Sequence, residues 1–129
     1  MSGEHDLGRM LATMRPVTRP GEFVFVSLPE APDVECEVTV REEEGLTCVV
    51  RREVADAQGW PYDFVAGWIT LQVHSALAAI GLTAAVSTAL TTRGVSCNVV
   101  AGYFHDHLLV PADRVEDALA ALRELSSPA

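Results

Sequence analysis

The second half of the chain shows the clearest hydrophobic pattern. Residues 68–74 alternate between apolar and polar side chains, which predicts a half-buried strand. Residues 82–90 carry apolar side chains at helical spacing, and Gly94 follows where a C-terminal glycine is expected, so this segment is predicted as an amphipathic helix. A hairpin and a last helix opened by Asp113 follow. The two hairpin strands are predicted at 95–101 and 107–110.

The first half is predicted to contain a helix, three strands and a short second helix. Asp6 is placed to cap the first helix, and Pro16 with the Arg-Pro-Gly run at 19–21 is expected to end it. The connection at 59–67 has turn chemistry and is the best internal boundary, which divides the chain into halves 1–66 and 67–129. The predicted strands are 21–29, 34–41 and 46–50, and the short helix is 51–58. The aromatic residues expected to pack the two halves together are Trp60, Tyr62, Phe64 and Trp68.

The order of these elements predicts an α+β fold. A helical crossover followed by a tight hairpin is typical of one antiparallel sheet with helices on one face. The second half lacks one strand of a complete ferredoxin-like unit, because only nineteen residues follow Val110. We therefore expect a strand from the first half to complete this sheet, so that the two halves intertwine.

The chain is acidic. Acidic residues outnumber basic ones by 18 to 9, every basic residue is arginine, and the formal net charge is −9. This charge opposes binding to nucleic acid or to an anionic membrane surface, so neither is expected as a partner. No basic and apolar signal segment opens the chain, and three cysteines without CxxC spacing argue against a disulfide framework. We expect a cytoplasmic protein whose cysteines are small core residues.

The second half also resembles the ACT-domain proteins. More narrowly, it is similar to a bacterial family of tandem ACT-domain proteins that carries, in order, the motifs V-H-S, G-L-T-A-A and C-N-V-V-A-G-Y-x-H-D-H-L, all found within residues 68–111. Upstream, RPGEFVFVSLP and the acidic hairpin REEEGLTCVV resemble the N-terminal half of that family. The resemblance covers about residues 7–125 and extends, more distantly, to eukaryotic tandem-ACT arginine sensors.

This resemblance implies a ferredoxin-like fold of two intertwined ACT-like halves. It also implies a protein without enzymatic activity and without a cofactor or metal, which binds amino acids or similar small ligands at paired-domain interfaces. In ACT domains the loop between the first strand and helix, together with the following strand, lines the effector site. By position, the implied ligand-binding residues are Ser75, Gly81, Leu82, Thr83, Asn98 and Val99.

The chemistry of these positions suits an α-amino acid. The first N–H groups of a helix that starts near Gly81 lack partners within the helix and favour a carboxylate, while Thr83 is placed to cap the helix or contact the ligand. Asp106 supplies a carboxylate for an ammonium or guanidinium group, and Asn98 offers hydrogen bonds to either end of the ligand. The net charge of −9 favours a neutral or basic amino acid. A plain helix start, a backbone-bonding asparagine and a turn-stabilising aspartate explain the same residues equally well.

The histidines near the hairpin invite a metal or catalytic hypothesis. His105 and His107 are two residues apart and would share one face of a strand, with His74 and Cys97 as further candidate ligands. Two adjacent donors are weak evidence, and histidines that stabilise the turn are the expectation. His74 and Ser75 are neighbours whose side chains point in opposite directions on a strand, so no catalytic pair is expected there.

Two classes of function fit these observations. The first is a regulatory or sensor module that binds a small molecule, with an amino acid as the expected ligand. The alternative is a structural or protein-interaction module that dimerises through its ACT sheets with no ligand. Because edge strands of such sheets need covering, we expect a homodimer with two-fold symmetry. Pairing of the two halves within one chain would instead leave a monomer.

Overall fold

The computed structural model describes residues 6–73 and 80–126 of the chain. Within these residues, six strands form one sheet and four helices pack on it. The helices are α1 (Leu7–Thr13), α2 (Arg52–Gln58), α3 (Leu82–Thr92) and α4 (Val115–Ser126); the strands are β1 (Arg15–Leu28), β2 (Val38–Glu42), β3 (Gly45–Arg51), β4 (Val65–Gln72), β5 (Asn98–Ala101) and β6 (Asp106–Pro111).

Local sequence explains how the helices begin and end. The Asp6 carboxylate accepts a hydrogen bond of 2.9 Å from the Arg9 backbone N–H, so the predicted cap of α1 is confirmed. Gly59 follows α2 with a φ of 73°, a left-handed conformation that costs glycine little. A short 3-10 turn at Ala112–Arg114 leads into α4. None of the helices in residues 6–73 and 80–126 is long and apolar enough to cross a membrane.

The sheet is antiparallel, with strand order β2-β3-β1-β4-β6-β5. The first part of β1 pairs with β4, from Arg15 opposite Gln72 to Arg19 opposite Trp68. This is the strand that the second half lacks, so the expected contribution from the first half is confirmed. The exchange is reciprocal, because the start of β4 pairs with Phe23 and Val24 in the second part of β1.

A bulge in β1 lets one strand serve both halves. Arg19 and Phe23 are four steps apart in β1, whereas their partners Trp68 and Ala66 are only two steps apart in β4. Gly21 lies inside this bulge with a φ of 101°, and a Cβ atom there would lie 2.6 Å from the Arg51 guanidinium. The Arg-Pro-Gly run therefore bends a continuous strand. The prediction that the strand begins at residue 21 was wrong.

The helices lie on one face of the sheet, as predicted. One core joins α1, α3 and α4 to the side chains of β4 and β6 that point to this face, including Ile69 and Leu108. A second core joins Ala55 of α2 to Val24 of β1 and neighbouring residues of β3. Val24 lies opposite Val65, and Val65 shares its side of β4 with Ile69, so both cores occupy the same face.

The opposite face carries no helix in the described part of the chain, yet its centre is buried. The rings of Phe23 and Trp68 lie with their centroids 5.1 Å apart, so Trp68 packs the two halves together as expected. The Arg19 guanidinium lies 4.9 Å from the Trp68 ring and 5.2 Å from the Phe23 ring, and Arg51 lies 5.1 Å from Phe23. Arg19 is also ion-paired with Glu37. These arginines cover the aromatic pair and keep their charges at the surface.

Two other predicted strands are shorter than expected. The segment 34–41 becomes regular only at Val38, because the Glu37 N–H bonds to the Val49 carbonyl one position out of register. Val95 does not enter β5, because its N–H donates to the Leu90 carbonyl and closes the end of α3. Three of the four aromatic residues expected to join the halves remain. Trp60 and Tyr62 pack on the core of the first half, so the expectation was wrong for them, and Phe64 packs beside Phe25 with the ring centroids 6.2 Å apart.

Candidate functional site

The predicted ligand residues belong mainly to one end of the second-half sheet. β4 ends there at Gln72, α3 begins after Gly81, and β6 begins at Asp106, which lies opposite Leu71. The connection between β4 and α3 therefore leaves the sheet beside Asp106. Ser75 belongs to residues 74–79 and lies outside the described residues, so its predicted role stays a prediction.

Gly81 and Leu82 have structural roles at the start of α3. Gly81 is the N-cap residue with a φ of 101°, and a Cβ atom there would lie 3.1 Å from the Leu7 side chain of α1. Leu82 points into the core and is buried. Thr83 is exposed, and no side chain among the described residues caps the helix, so the capping alternative for Thr83 was wrong. The N–H groups of the first turn stay available at this end.

Asp106 is the most distinctive group of the site. It is partly buried on the helix-covered face, because its cross-strand partner Leu71 belongs to that core. Burial raises the pKa of the Asp106 carboxyl above its usual value, and the nearby His107 and His105 offset this only in part. Within residues 6–73 and 80–126, no hydrogen bond or ion pair to this carboxylate is formed. A desolvated carboxylate of this kind gains most from an incoming cation.

The sequence suggested that His105 and His107 share one face of a strand, and this was wrong because only His107 belongs to β6. His105 precedes β6, and its backbone carbonyl accepts a hydrogen bond from the Gly102 N–H in the hairpin turn. His107 lies on the helix-free face, with Nδ1 3.0 Å from Thr70 Oγ1, which accepts a hydrogen bond from Trp68 Nε1. Burial and the neighbouring His105 lower the pKa of His107, which favours its neutral form in this chain of hydrogen bonds.

Asn98 and Val99 are separated by the pleat of β5. Val99 lies opposite Leu108 and packs against the helix-covered core, whereas Asn98 lies opposite Leu109 and points to the other face. Asp106 shares the face of Val99. The structure therefore brings Val99 and Asp106 to one side of the sheet and directs the Asn98 side chain away from them.

Two aromatic residues beside Asp106 were missed by the sequence reasoning. Tyr103 and Phe104 occupy the turn between β5 and β6 and are 73% and 65% exposed, with their ring centroids 5.0 Å apart. Ile80, which precedes α3 at the same end of the sheet, is 85% exposed. Three large apolar side chains exposed at one end are a signal for binding. Their position in loops between apolar segments was the available clue.

Other candidate binding features of the described residues, metal-ligand clusters and surface cavities, do not lie at the Asp106 end of the sheet. No group of three or more histidine, cysteine, aspartate or glutamate side chains within residues 6–73 and 80–126 is arranged to hold a metal ion. One surface cavity of about 300 Å³ lies between α3 and α4, where Arg93 is ion-paired with Glu124. Another of about 330 Å³ lies between the end of β1 and the connection that contains Tyr62. Neither cavity includes a predicted ligand residue.

Comparison with known protein families agrees with this architecture. A family model described as an ACT domain matches residues 2–67, and a second model with the same description matches residues 63–124. The chain belongs to the ACT-domain family. It is a tandem ACT-domain protein in which each half contributes a strand to the sheet of the other.

Solved structures share this fold along most of the chain. A protein of unknown function from Vibrio cholerae, described as a possible transport protein, is 40% identical, with 94% of this chain and 96% of that chain covered and a TM-score of 0.86. A protein from Agrobacterium tumefaciens is 20% identical, with 88% and 89% covered and a TM-score of 0.68. The regulatory subunit of aspartate kinase from Thermus thermophilus is 10% identical, with 87% and 97% covered and a TM-score of 0.61. No protein with a curated description matches the chain.

Proposed function

We propose that this ACT-domain protein is a regulatory or sensor module that binds an α-amino acid without converting it chemically. The single observation that carries this proposal is Asp106, a desolvated carboxylate opposite Leu71 at the end of β4. The first turn of α3 offers N–H groups to the ligand carboxylate, and Asp106 offers a partner to the ligand ammonium group. Opposite partners at one end of the sheet match the two charged ends of an α-amino acid.

Two further observations support this function. The exposed Tyr103, Phe104 and Ile80 at the same end supply apolar surface to cover a bound side chain. The fold is also shared with regulatory subunits of aspartate kinase. Their sequence identity to this chain is 10% and 9%, so the likeness is one of fold alone. The net charge of −9 favours a neutral or basic ligand, because an acidic amino acid would be repelled.

A thermal-shift screen of the standard amino acids, followed by calorimetric titration, tests the proposal. A ligand at 100 times its dissociation constant is expected to stabilise the protein by roughly 2.7 kcal/mol. Asp106→Asn is expected to weaken binding by roughly 1.5–3 kcal/mol, the range for a hydrogen bond to a charged group. Asp33→Asn, a matched change at an exposed position of the first half, should leave the affinity unchanged. Equal affinity of parent and Asp106→Asn would remove Asp106 from the site, and a flat screen would favour the interaction module.

The pKa of Asp106 adds a pH signature to this test. Because its folded-state pKa is raised, the folded protein binds a proton more tightly than the unfolded chain, and stability falls as pH rises from about 3.8 through the folded pKa. Asp106→Asn should therefore melt no lower than the parent at neutral pH. A bound ammonium group favours the ionised carboxylate, so affinity should rise with pH over the same range and binding should release protons. A lower melting temperature of Asp106→Asn would instead assign Asp106 to the hairpin turn.

We also infer that the protein acts as a homodimer with two-fold symmetry. β2 and β5 form the two edges of the described sheet, and Val40 of β2 is 51% exposed. Edge strands with exposed apolar side chains are natural pairing surfaces. Sedimentation at micromolar concentration is expected to give about twice the chain mass of 13.9 kDa. A single species at the mass of one chain would contradict the dimer.

A further inference from the structure

Two of the three cysteines lie side by side in the first half. Cys36 lies in the connection before β2, and Cys48 lies in β3 on the face that α2 covers. Cys36 packs against the core that contains Cys48, and the Cys36 thiol is close enough to that of Cys48 to raise its pKa. Cys97 is distant from this pair, because it packs against the core of the second half.

The surroundings of the two thiols differ in a way that matters for their reactivity. Cys48 is fully buried; this burial, together with the Cys36 thiol, raises its pKa to about 11, so Cys48 is protonated at neutral pH. Cys36 is only partly buried, and its thiol donates no more than a long hydrogen bond of 3.8 Å to the Val34 carbonyl. An oxidant from solvent therefore reaches Cys36 first, and Cys48 belongs to the core that Cys36 packs against.

We propose that Cys36 and Cys48 form an oxidation site, which a peroxide converts into an intramolecular disulfide in the folded protein. The bond would tie the connection before β2 to β3 and leave the second half untouched. The sequence gives no sign of this pair, because the two cysteines lack CxxC spacing and the acidic β2–β3 hairpin separates them.

The reaction balances with one peroxide. The Cys36 sulfur attacks a peroxide oxygen, the O–O bond breaks, and the departing hydroxide takes the thiol proton, leaving a sulfenic acid and water. The Cys48 sulfur then attacks the Cys36 sulfur, the S–S bond forms, and the sulfenic hydroxyl leaves with the Cys48 proton as a second water. The two thiols lose two electrons in total, and a small dithiol reductant reverses the change.

Peptide mapping of the full chain tests this proposal. The folded protein is treated with a small excess of hydrogen peroxide, its remaining thiols are alkylated, and it is digested with trypsin. Cleavage at Arg41 separates the peptide 42–51, which contains Cys48, from the peptide with Cys36 unless a disulfide joins them. We expect the joined peptide, two hydrogens lighter than the sum, in the parent and in Cys97→Ser. It should be absent from Cys36→Ser and from Cys48→Ala, and dithiothreitol should remove it.

The melting temperature gives a second readout. A cross-link that fits the folded structure restricts the unfolded chain, so the oxidised parent is expected to melt several degrees higher than the reduced parent. Peroxide should cause no such shift in Cys36→Ser. The proposal is overturned if the joined peptide forms only in denaturant, if Cys97 or a second chain provides the partner instead, or if oxidation lowers the melting temperature.

Discussion

A fragment that begins at Gly67 is expected to show no cooperative unfolding transition. Without the first half, β4 loses its partner along Arg15 to Arg19, and its backbone groups on that side are left unpaired. The core under α3 and α4 also loses Met10 and Met14, which are 0% and 3% exposed in the full chain. The loss of two buried methionines and a paired strand is expected to exceed the small net free energy of unfolding of a unit of this size. A circular-dichroism melt checks this, and a sharp, reversible transition of the fragment would contradict it.

A rearranged chain provides the matched control for this fragment. α1 packs against α3 and α4, so α1 and the first part of β1 can be supplied after the end of α4. A chain of residues 67–126, a flexible linker and residues 6–22 restores the missing strand and both methionines. We expect this permuted chain to melt cooperatively. If it also fails to do so, the second half depends on more than the exchanged strand.

The fold class could be predicted because it follows from the order and periodicity of the elements. The alternating segment before α3 turns Ile69 and Leu71 towards the helices, and the helical spacing within α3 buries one side of the helix, which fixes their packing on a sheet. The sequence did not predict that Trp68 is buried on the opposite face as well. The extent of β1 could not be predicted, since Pro16 and the Arg-Pro-Gly run are local signals for an end. Tertiary pairing overrides them: Pro16 lies where β1 pairs with β4 alone, and Gly21 accommodates the bulge.

The start of β4 was misread for a similar reason. Gly67 belongs to a segment with turn chemistry, yet it lies inside β4, where a Cβ atom would meet the Val115 side chain at 2.3 Å. The glycine is required by the close approach of α4, a contact between residues far apart in the chain. The periodicity of the sequence cannot predict such a contact.

The candidate site was predictable only in outline. The position of α3 and of Asp106 at one end of the sheet follows from the topology. The face to which Asn98 points depends on the register of β5, which a shift of one residue would reverse. The desolvation of Asp106 depends on what packs around it. For these two properties, the three-dimensional arrangement was needed.

Phe23→Ala is expected to lower the free energy of unfolding by about 3–5 kcal/mol, the usual cost of removing a buried phenylalanine. Phe23 is fully buried and lies where β1 leaves one half for the other, opposite both Ala66 and Arg51. Its ring packs against Trp68, with the guanidinium groups of Arg19 and Arg51 over it. Truncation therefore opens a cavity and removes the ring that both arginines cover.

Urea unfolding measures this loss and also tests whether the halves unfold together. Because β1 and β4 are shared, tryptophan fluorescence and circular dichroism should follow one coincident transition in the parent and in the variant. Phe25→Ala is the matched control, since Phe25 lies on the same face of β1 but is only partly buried, and its loss should be smaller. Separate transitions for the two probes would show that the halves are independent domains. Phe25 lies beyond the pairing of β1 with β4. An equal loss of unfolding free energy in both variants would therefore show that packing at the junction between the halves contributes no more to stability than packing elsewhere in β1.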